Sequence, residues 1–507
     1  MGETVEIKEG KYTPLLRQCF VTASVAINIV GHGCVIGFPA ILIPSLRKSD
    51  SHIHLTRSEE SWIASVVGFA LIVGNFIITL ILDNIGRKKS HILTIFPNLA
   101  GWFLFLLVNN FPGLMAARFL QGIAMGMLGP LGSIIIGEMT DPKSRGVFLT
   151  SVSLSLTLGV LSSHALGTCF TWQISALLCS LVTFISLCLI IFTPESPSWL
   201  LSKGRYDEAR EGFFWLRGKN AKTEHELERM ITSQKMTRKA SITGQKDTVK
   251  ANLKNYFRYL SEAGKKPEFV KPVVIMVFLY IMFQFAGINV ISSYATDILA
   301  ELLDSEANSN FLMVALDIER LICNLIAIYL MKTLKRRTLL FSTTIICILA
   351  YISKGSYVYA KQAGILTYDS QWIPITLIGI YMFSLTVGVS SIPFALSGEL
   401  FPLDYRGLGG GVSYLALSLN FFIAVKCFPV LSSAIGLSFT YFLYAGIVTI
   451  CMVVVWIMLP ETKDKTLQEI EDRFRGYTAE DVKSSQPLNA ANGGGEMMRR
   501  CSSHILY

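Results

Sequence analysis

Charge is scarce in this chain. Asp, Glu, Lys and Arg make up 16% of its 507 residues, where a soluble protein carries roughly 25%. The shortage argues against the water-soluble classes. The mean hydropathy of +0.49 is concentrated in apolar blocks of about 20 residues, the length that crosses roughly 30 Å of hydrocarbon. Other absences narrow the reading. The ten cysteines show no metal-ligand or disulfide spacing, so they count as small hydrophobes, and no metal or other cofactor is expected. No nucleophile–base constellation suggests an enzyme. A polar start (Glu3, Glu6, Lys8, Glu9, Lys11, Arg17) precedes a first block too long for the apolar core of a cleavable signal. The net charge of +9 does not point to nucleic acid, since most Lys and Arg lie between blocks, where the positive-inside rule accounts for them. The lipid bilayer is the expected partner, and nothing sets an oligomeric state.

What is present is a run of twelve blocks. Six begin near Cys19, Trp62, His91, Pro112, Val147 and Trp172, and six near Pro272, Phe311, Thr338, Ile373, Leu408 and Leu437. They predict a tail over 1–17, a six-helix bundle over 18–192, linker helices over 193–271, a second six-helix bundle over 272–459 and a tail over 460–507. The fold class is therefore an all-α membrane protein: twelve transmembrane helices in two six-helix bundles with a cytoplasmic helical linker. Linker charges such as Glu208, Arg210, Glu224, Glu228 and Arg229 read as short solvated amphipathic helices, and the polar stretch after Gly476 reads as disordered. Cations gather in alternate loops: Arg87, Lys88 and Lys89; Lys143 and Arg145; Lys332, Lys335, Arg336 and Arg337; and Arg406. The opposite loops hold few, apart from Arg47, Lys48 and Arg57, and one carries Asp297, Glu301, Asp304 and Glu306. Both termini and the linker are thus expected in the cytoplasm.

The chain also repeats itself. "GEMTDPKSR" sets Glu138 seven residues before Arg145, and "GELFPLDYR" sets Glu399 seven before Arg406, an offset of 399 − 138 = 261. "PESPSW" and "PETKDK" begin at Pro194 and Pro460, an offset of 266. A duplicated six-span unit is the simplest explanation, and parallel repeats of this kind place a substrate site near the midplane between the halves. The repeat puts Asp83, Arg87, Glu138, Arg145 and Glu195 on one rim of the first half, and Arg336, Arg337, Glu399, Arg406 and Glu461 on the same rim of the second. Partly desolvated pairs there exceed the ~0–1 kcal/mol of open-surface pairs, and several together bias a two-state equilibrium by a few kcal/mol. For any one residue an ordinary interfacial collar is an equal alternative; repetition at matching places argues against it for the set.

These stretches, with "DNIGRKK", "ARFLQG", "QFAGIN" and "PFALSGELFP", resemble the signature motifs of the sugar porter family of the major facilitator superfamily, from about Cys19 to Phe474. "GHGCVIGFPAILIPSL" followed by "ESWIAS" resembles its insect branch, which includes facilitated trehalose transporters. The resemblance implies a two-bundle carrier (the major facilitator fold) that moves hexoses or disaccharides by alternating access, with rim charges that lock the inner gate while the outer side is open. It carries that role onto Asp83, Arg87, Arg118, Glu138, Arg145, Glu195, Glu399, Arg406 and Glu461. The second "DNIGRKK" is degraded to "KTLKRR": Lys332 stands for the acid and Lys335 for the glycine, which weakens that half of the latch.

A sugar site needs amides, which both donate and accept, and aromatic walls. "FQFAGINVISSY" offers Phe283, Gln284, Asn289 and Tyr294. Gln284 and Asn289 lie about 140° apart on an ideal helix and converge only if Gly287 bends it. Buried amides in a span are costly and usually functional, though they also glue helices together. Several positions depart from the family pattern: Phe283 for a second Gln, Phe394 for Trp, Ser153 for Gln, and Ala416–Leu417 for Asn–Trp, with Asn420 surviving one turn later. The pocket is less amide-rich, which leaves the sugar open. Arg320 either neutralises Asp317 three residues away or reaches the cavity and binds hydroxyls or an anion. His32 and His164 read as packing or helix-gluing residues. Cys19 to Leu46 holds no Asp or Glu, and a buried carboxylate is the natural proton carrier, so facilitated diffusion is favoured over symport. The glycines at 122, 126, 129 and 132 and the run at 407–411 read as close helix-packing surfaces. The expected function is a facilitative carrier of trehalose or a hexose in the plasma membrane. A carrier for another polar or anionic solute, or a transport-poor sugar sensor, is the alternative.

Overall fold

In hydrocarbon every backbone donor must be satisfied within the protein, so apolar blocks of this length become helices. The computed structural model describes residues 13–49, 51–141, 145–243, 264–303, 306–366, 370–402, 405–463, 465 and 467–475, and no strand occurs among them. Most of both expected tails, Lys143, Asp304 and the side chains of Arg145 and Arg406 lie outside the described residues.

In the first half α1 (Thr13–Gly37) runs on into α2 (Pro39–Leu46). α3 (Arg57–Ile85) opens on a reciprocal cap: the Thr56 hydroxyl accepts from the Glu59 N–H, and the Glu59 carboxylate accepts from the Thr56 N–H. α4 (Arg87–Leu107) follows after Gly86 alone, and α5 (Phe111–Met139) is capped by the Asn110 side chain. α6 (Arg145–Cys169) and α7 (Trp172–Ile191) complete the bundle. The linker supplies α8 (Pro197–Ser202), α9 (Tyr206–Arg217) and α10 (Ala221–Thr243). The second half holds α11 (Pro267–Phe285), α12 (Ile288–Leu303), α13 (Glu306–Thr333), α14 (Arg336–Gln362) and α15 (Trp372–Ser384). A π-helical stretch (Leu385–Ser390) leads into α16 (Ser391–Glu399), and α17 (Arg406–Met458) and α18 (Leu467–Arg475) follow.

Ten helical stretches among the described residues are long and apolar enough to cross a membrane. α17 counts twice, because it turns back at Gly436 (φ 84°). α13 is the remaining span, its apolar character diluted by Asp317, Glu319 and Arg320. The total is the expected twelve, in two six-helix bundles. One end of the spans carries the rim charges and the linker (the linker face); the other is the far face.

Within the first bundle α3 lies on α5, α1 on α6, and α4 between α5 and α7; within the second α11 lies on α17, and α14 between α15 and α17. Between bundles α3 meets α17, α6 meets α13, and α2 meets α12. The glycine stripe of α5 divides its work. A Cβ at Gly122 or Gly126 would stand 2.8 Å from Val67 O or 2.2 Å from Leu71 O, so α5 rests directly on α3. At Gly129 it would meet the Tyr414 hydroxyl of the other bundle instead. The run at 407–411 meets the packing expectation at Gly409, where a Cβ would stand 2.2 Å from the Phe401 ring, and departs from it at Gly410 and Gly411, where a Cβ meets nothing within 4 Å. The linker is less solvated than its charges suggest. Ala209, Phe213 and Leu216 are buried, the first two packed with Trp199, Leu200, Leu227 and Ile231. Arg17 and Gln18 of α1 donate to the Trp215 and Leu216 carbonyls, docking α9 on the first bundle.

Candidate functional site

The seventh span is broken where the sequence places a glycine. α11 ends at Phe285 and α12 begins at Ile288; between them Gly287 has φ 91°, a conformation that only glycine adopts cheaply. The break does two things. It brings the amides together, so that Asn289 Nδ2 donates to Gln284 Oε1 at 2.7 Å. It also frees two carbonyls, which tyrosines from other helices take up: Tyr381 Oη donates to Ala286 O (2.6 Å) and Tyr351 Oη to Phe285 O (3.3 Å).

The other expected contact residues divide. Phe283 and Phe394 meet edge to face at 5.5 Å and form an aromatic wall, with Phe394 46% exposed. Tyr294 stacks on Phe428 at 5.9 Å and donates to Val425 O. Ser153 donates to Asn324 Oδ1 at 2.9 Å, across the two bundles. Asn420 spends its amide on Ala416 O of its own helix.

One residue here escapes sequence reasoning. Lys354 in α14 is 3% exposed, and its Nζ lies 3.4 Å from the Tyr381 ring centroid, 4.5 Å from Tyr351 and 4.6 Å from Tyr441. Desolvated cation–π contacts are worth about 2 kcal/mol or more, so the ammonium fixes the two tyrosines that brace the break. The available signal is a single lysine inside an apolar span, and an ionisable residue at that depth is by default a functional one.

On the linker face the two halves repeat one motif in space. Arg87 Nε and Nη2 reach Glu138 at 3.0 and 2.9 Å, and the Ser196 hydroxyl donates to the same carboxylate at 2.5 Å. Glu195 accepts from the backbone N–H groups of Arg87 (2.8 Å), Lys88 (3.1 Å) and Ser196 (2.9 Å). A Cβ at Gly86 would stand 2.4 Å from Glu195 Oε2, so the glycine makes room for this carboxylate cap. In the second half Glu461 accepts from the backbone of Arg336, Arg337 and Lys463, and the Thr462 hydroxyl donates to Glu399. Burial works against the Glu461 charge, but those backbone donors win and hold its carboxyl below the usual range. The Arg336–Glu399 pair is longer, at 3.5 Å. Lys335, in the glycine's place, has φ −68°.

Three expectations need correction. Arg118 is no member of this rim. α5 enters from the far face at Phe111, so Arg118 sits near that end, fully buried, and donates to Val35 O (2.6 Å), Ile63 O (3.1 Å) and Gln121. Carbonyl dipoles balance its charge, and no carboxylate pairs with it among the described residues. Arg337 donates its guanidinium to Trp456 O rather than to an acid. Asp317 does not pair with Arg320; it pairs with His164, while Arg320 donates to the Ser292 hydroxyl at 3.0 Å.

The far face is closed across the bundles. Arg47 grips Glu60 with two bonds (2.7 and 2.6 Å) and Asp297 of the other bundle at 2.9 Å, which accounts for a cation in that loop. Ser61 donates to Lys426 O, Thr296 to Ala40 O, and Trp62 stands 5.7 Å from Phe422. On the linker face, among the described residues, each ion pair joins groups of one bundle, of the linker docked on it or, for Arg475 and Glu268, of the tail helix α18 and the start of α11.

The family model described as "Sugar (and other) transporter" matches residues 19–474. The chain belongs to this family. A facilitated trehalose transporter of Apis mellifera ligustica is 27% identical, over 93% of this chain and 91% of that one. One of Bombyx mori is 28% identical, over 90% and 86%. Among solved structures, the proton:xylose symporter XylE bound to 6-bromo-6-deoxy-D-glucose superposes with a TM-score of 0.70 at 19% identity, covering 91% of this chain and 99% of that one. This member of the sugar-transporter family is thus a multi-pass membrane carrier and not an enzyme.

Proposed function

We propose that the protein is a facilitative uniporter of trehalose or a hexose in the plasma membrane, working by alternating access, with the linker face and both termini in the cytoplasm. The observation that carries this reading is the Gln284–Asn289 amide pair set at the Gly287 break. It offers a sugar hydroxyl both donors and acceptors at the break in the seventh span. In this reading the units 18–192 and 272–459 rock about that point. The far-face bonds of Arg47, Ser61 and Thr296 hold the outside shut here, and the rim charges take their turn when the linker face closes. The absence of an acid in α1 and α2 supports uniport, as do the names of the insect relatives.

Counterflow in proteoliposomes tests the proposal. Preloaded unlabelled trehalose or glucose should drive transient accumulation of the labelled sugar, and an inward proton gradient should drive none. Proton-driven accumulation would replace uniport by symport, and no counterflow of either sugar would remove the sugar reading. A second reading, a small anionic solute, draws on Arg320, whose buried Nε has no partner among the described residues; inhibition by a sugar phosphate stronger than by the free sugar would favour it. Lys354→Met should raise the half-saturating sugar concentration about 5- to 30-fold, the effect of 1–2 kcal/mol of lost cation–π bracing, and Lys354→Arg should recover much of it. Equal half-saturation in all three proteins would dissociate Lys354 from the site.

A further inference from the structure

Where α6 meets α13, ionisable side chains from the two bundles touch in a way that neither sugar binding nor the rim charges use. Nδ1 of His164 lies 2.5 Å from Asp317 Oδ2, and its Nε2 lies 3.1 Å from Ser292 O and 3.2 Å from Gly37 O. The two side chains are 1% and 7% exposed. Beside them is a cavity of about 10 Å³, lined by both residues with Arg320 and Ser292, room for at most one water.

Each of these three neighbours of His164 is an oxygen acceptor when Asp317 is ionised. A neutral imidazole has one donor and one acceptor nitrogen. Whichever nitrogen carries its single hydrogen, the bare one then points its lone pair at oxygen lone pairs. If Nδ1 is bare it faces the carboxylate; if Nε2 is bare it faces both carbonyls. Every contact becomes a hydrogen bond only when the pair holds one additional proton, shared along the line from Nδ1 to Oδ2. The charged surroundings are few. α13 brings Asp317 and, one turn on, Arg320, while its Glu319 stands against Gly379 of α15. α12 presents the Ser292 carbonyl, and its Asp297 is engaged by Arg47. α1 presents the Gly37 carbonyl, the Arg118 of α5 is spent on other carbonyls, and α2 and α7 contain no charged residue.

We propose that His164 and Asp317 form a proton-binding site that is filled while the far face is shut and emptied when the bundles part there. Parting hydrates both side chains, and the proton leaves to water: the imidazolium–carboxylate pair becomes a neutral imidazole, a carboxylate and one hydronium. This rests on the alternating-access reading but not on the identity of the sugar. The sign follows from proton counting. Once acid keeps the hydrated imidazole charged as well, the open and shut forms hold the same number of protons and further acid has no effect. At higher pH, opening releases a proton, and each pH unit raises the ratio of open to shut by up to about tenfold.

The test reads the far face directly. Ser61 is 1% exposed and bonded across the seam to Lys426 O. The Ser61→Cys protein, in nanodiscs without sugar, is treated with a polar maleimide, and modification is read by mass on the peptide that contains position 61. The same is done with His164→Gln added, and the ratio of the two rates cancels the reagent's own pH dependence. Between pH 6.5 and 8.0 the ratio should rise about tenfold, within the limit set by one proton. A ratio that stays flat overturns the proposal. Asp317→Asn, which keeps the histidine, should abolish the rise as well and decides the matter if the glutamine variant does not fold; a pH response that survives it places the proton elsewhere. Because no sugar is present, failure here leaves the transport reading standing, and a failed counterflow leaves this one standing.

Discussion

Gly287→Ala should lower sugar exchange by about 100-fold or more. A β-carbon at φ 91° costs about 1–2 kcal/mol in backbone strain alone. It would also stand 2.4 Å from the Tyr351 hydroxyl and 2.5 Å from that of Tyr381. Those hydroxyls have little freedom to retreat, since Lys354 holds both rings and the Ala286 and Phe285 carbonyls hold both oxygens. Displacing them leaves buried carbonyls without donors, at about 1–3 kcal/mol each. The sum is roughly 3–8 kcal/mol, and about 3–5 kcal/mol of it spent on the geometry of the amide pair is a factor of about 100 to several thousand. Counterflow rate, alongside the yield and melting temperature of purified protein, separates a damaged site from a misfolded chain. Adding Tyr351→Phe and Tyr381→Phe should return part of the activity by making room. Wild-type exchange in the single variant would mean that the break has no part in binding.

Glu138→Ala should lower turnover by about 30-fold, the kinetic equivalent of roughly 2 kcal/mol, with half-saturation nearly unchanged. Glu138 is the hub of the first rim: it takes two bonds from Arg87 and one from Ser196, tying α4, α5 and the start of the linker. Arg87 is only 13% exposed and would lose its close partner, keeping Asp83 at 3.5 Å. Removing one member of such a pair costs less than the ~3–5 kcal/mol of a fully buried case, because water reaches Glu138 at 21% exposure. Glu399→Ala should cost less, about threefold, since its pair is longer and more exposed. Initial rates over a range of sugar concentrations check both. Equal losses at the two rims would overturn the ranking drawn from the pair lengths, and unchanged turnover, or a loss confined to half-saturation, would remove the rim from the transport cycle.

The rim is legible in the sequence because its geometry is local or repeated. Glu195 caps the helix that begins at Arg87, Glu461 caps the one that begins at Arg336, and each lies in a motif that occurs twice. The amide pair is legible as a condition, two side chains that meet only if Gly287 bends the helix. Arg118 is misplaced by its motif, which keeps company with the rim charges while its helix enters from the other end. Lys354 is hidden because no neighbour in the chain announces a cage built from Tyr351 of its own helix and Tyr381 and Tyr441 of two other spans.

Length and hydropathy are enough for twelve spans, the loop cations for their alternation and the repeated motifs for their duplication, because hydrocarbon admits helices of about 20 residues and leaves charge to the loops. Which side of each helix faces its neighbours is not available from that source. A helix bordered by lipid on one side and protein on the other is apolar all round, so no stripe marks the inward face. The contacts of Arg47 with Asp297 and of His164 with Asp317, 250 and 153 residues apart, depend on that rotation. Only the packed bundles set it.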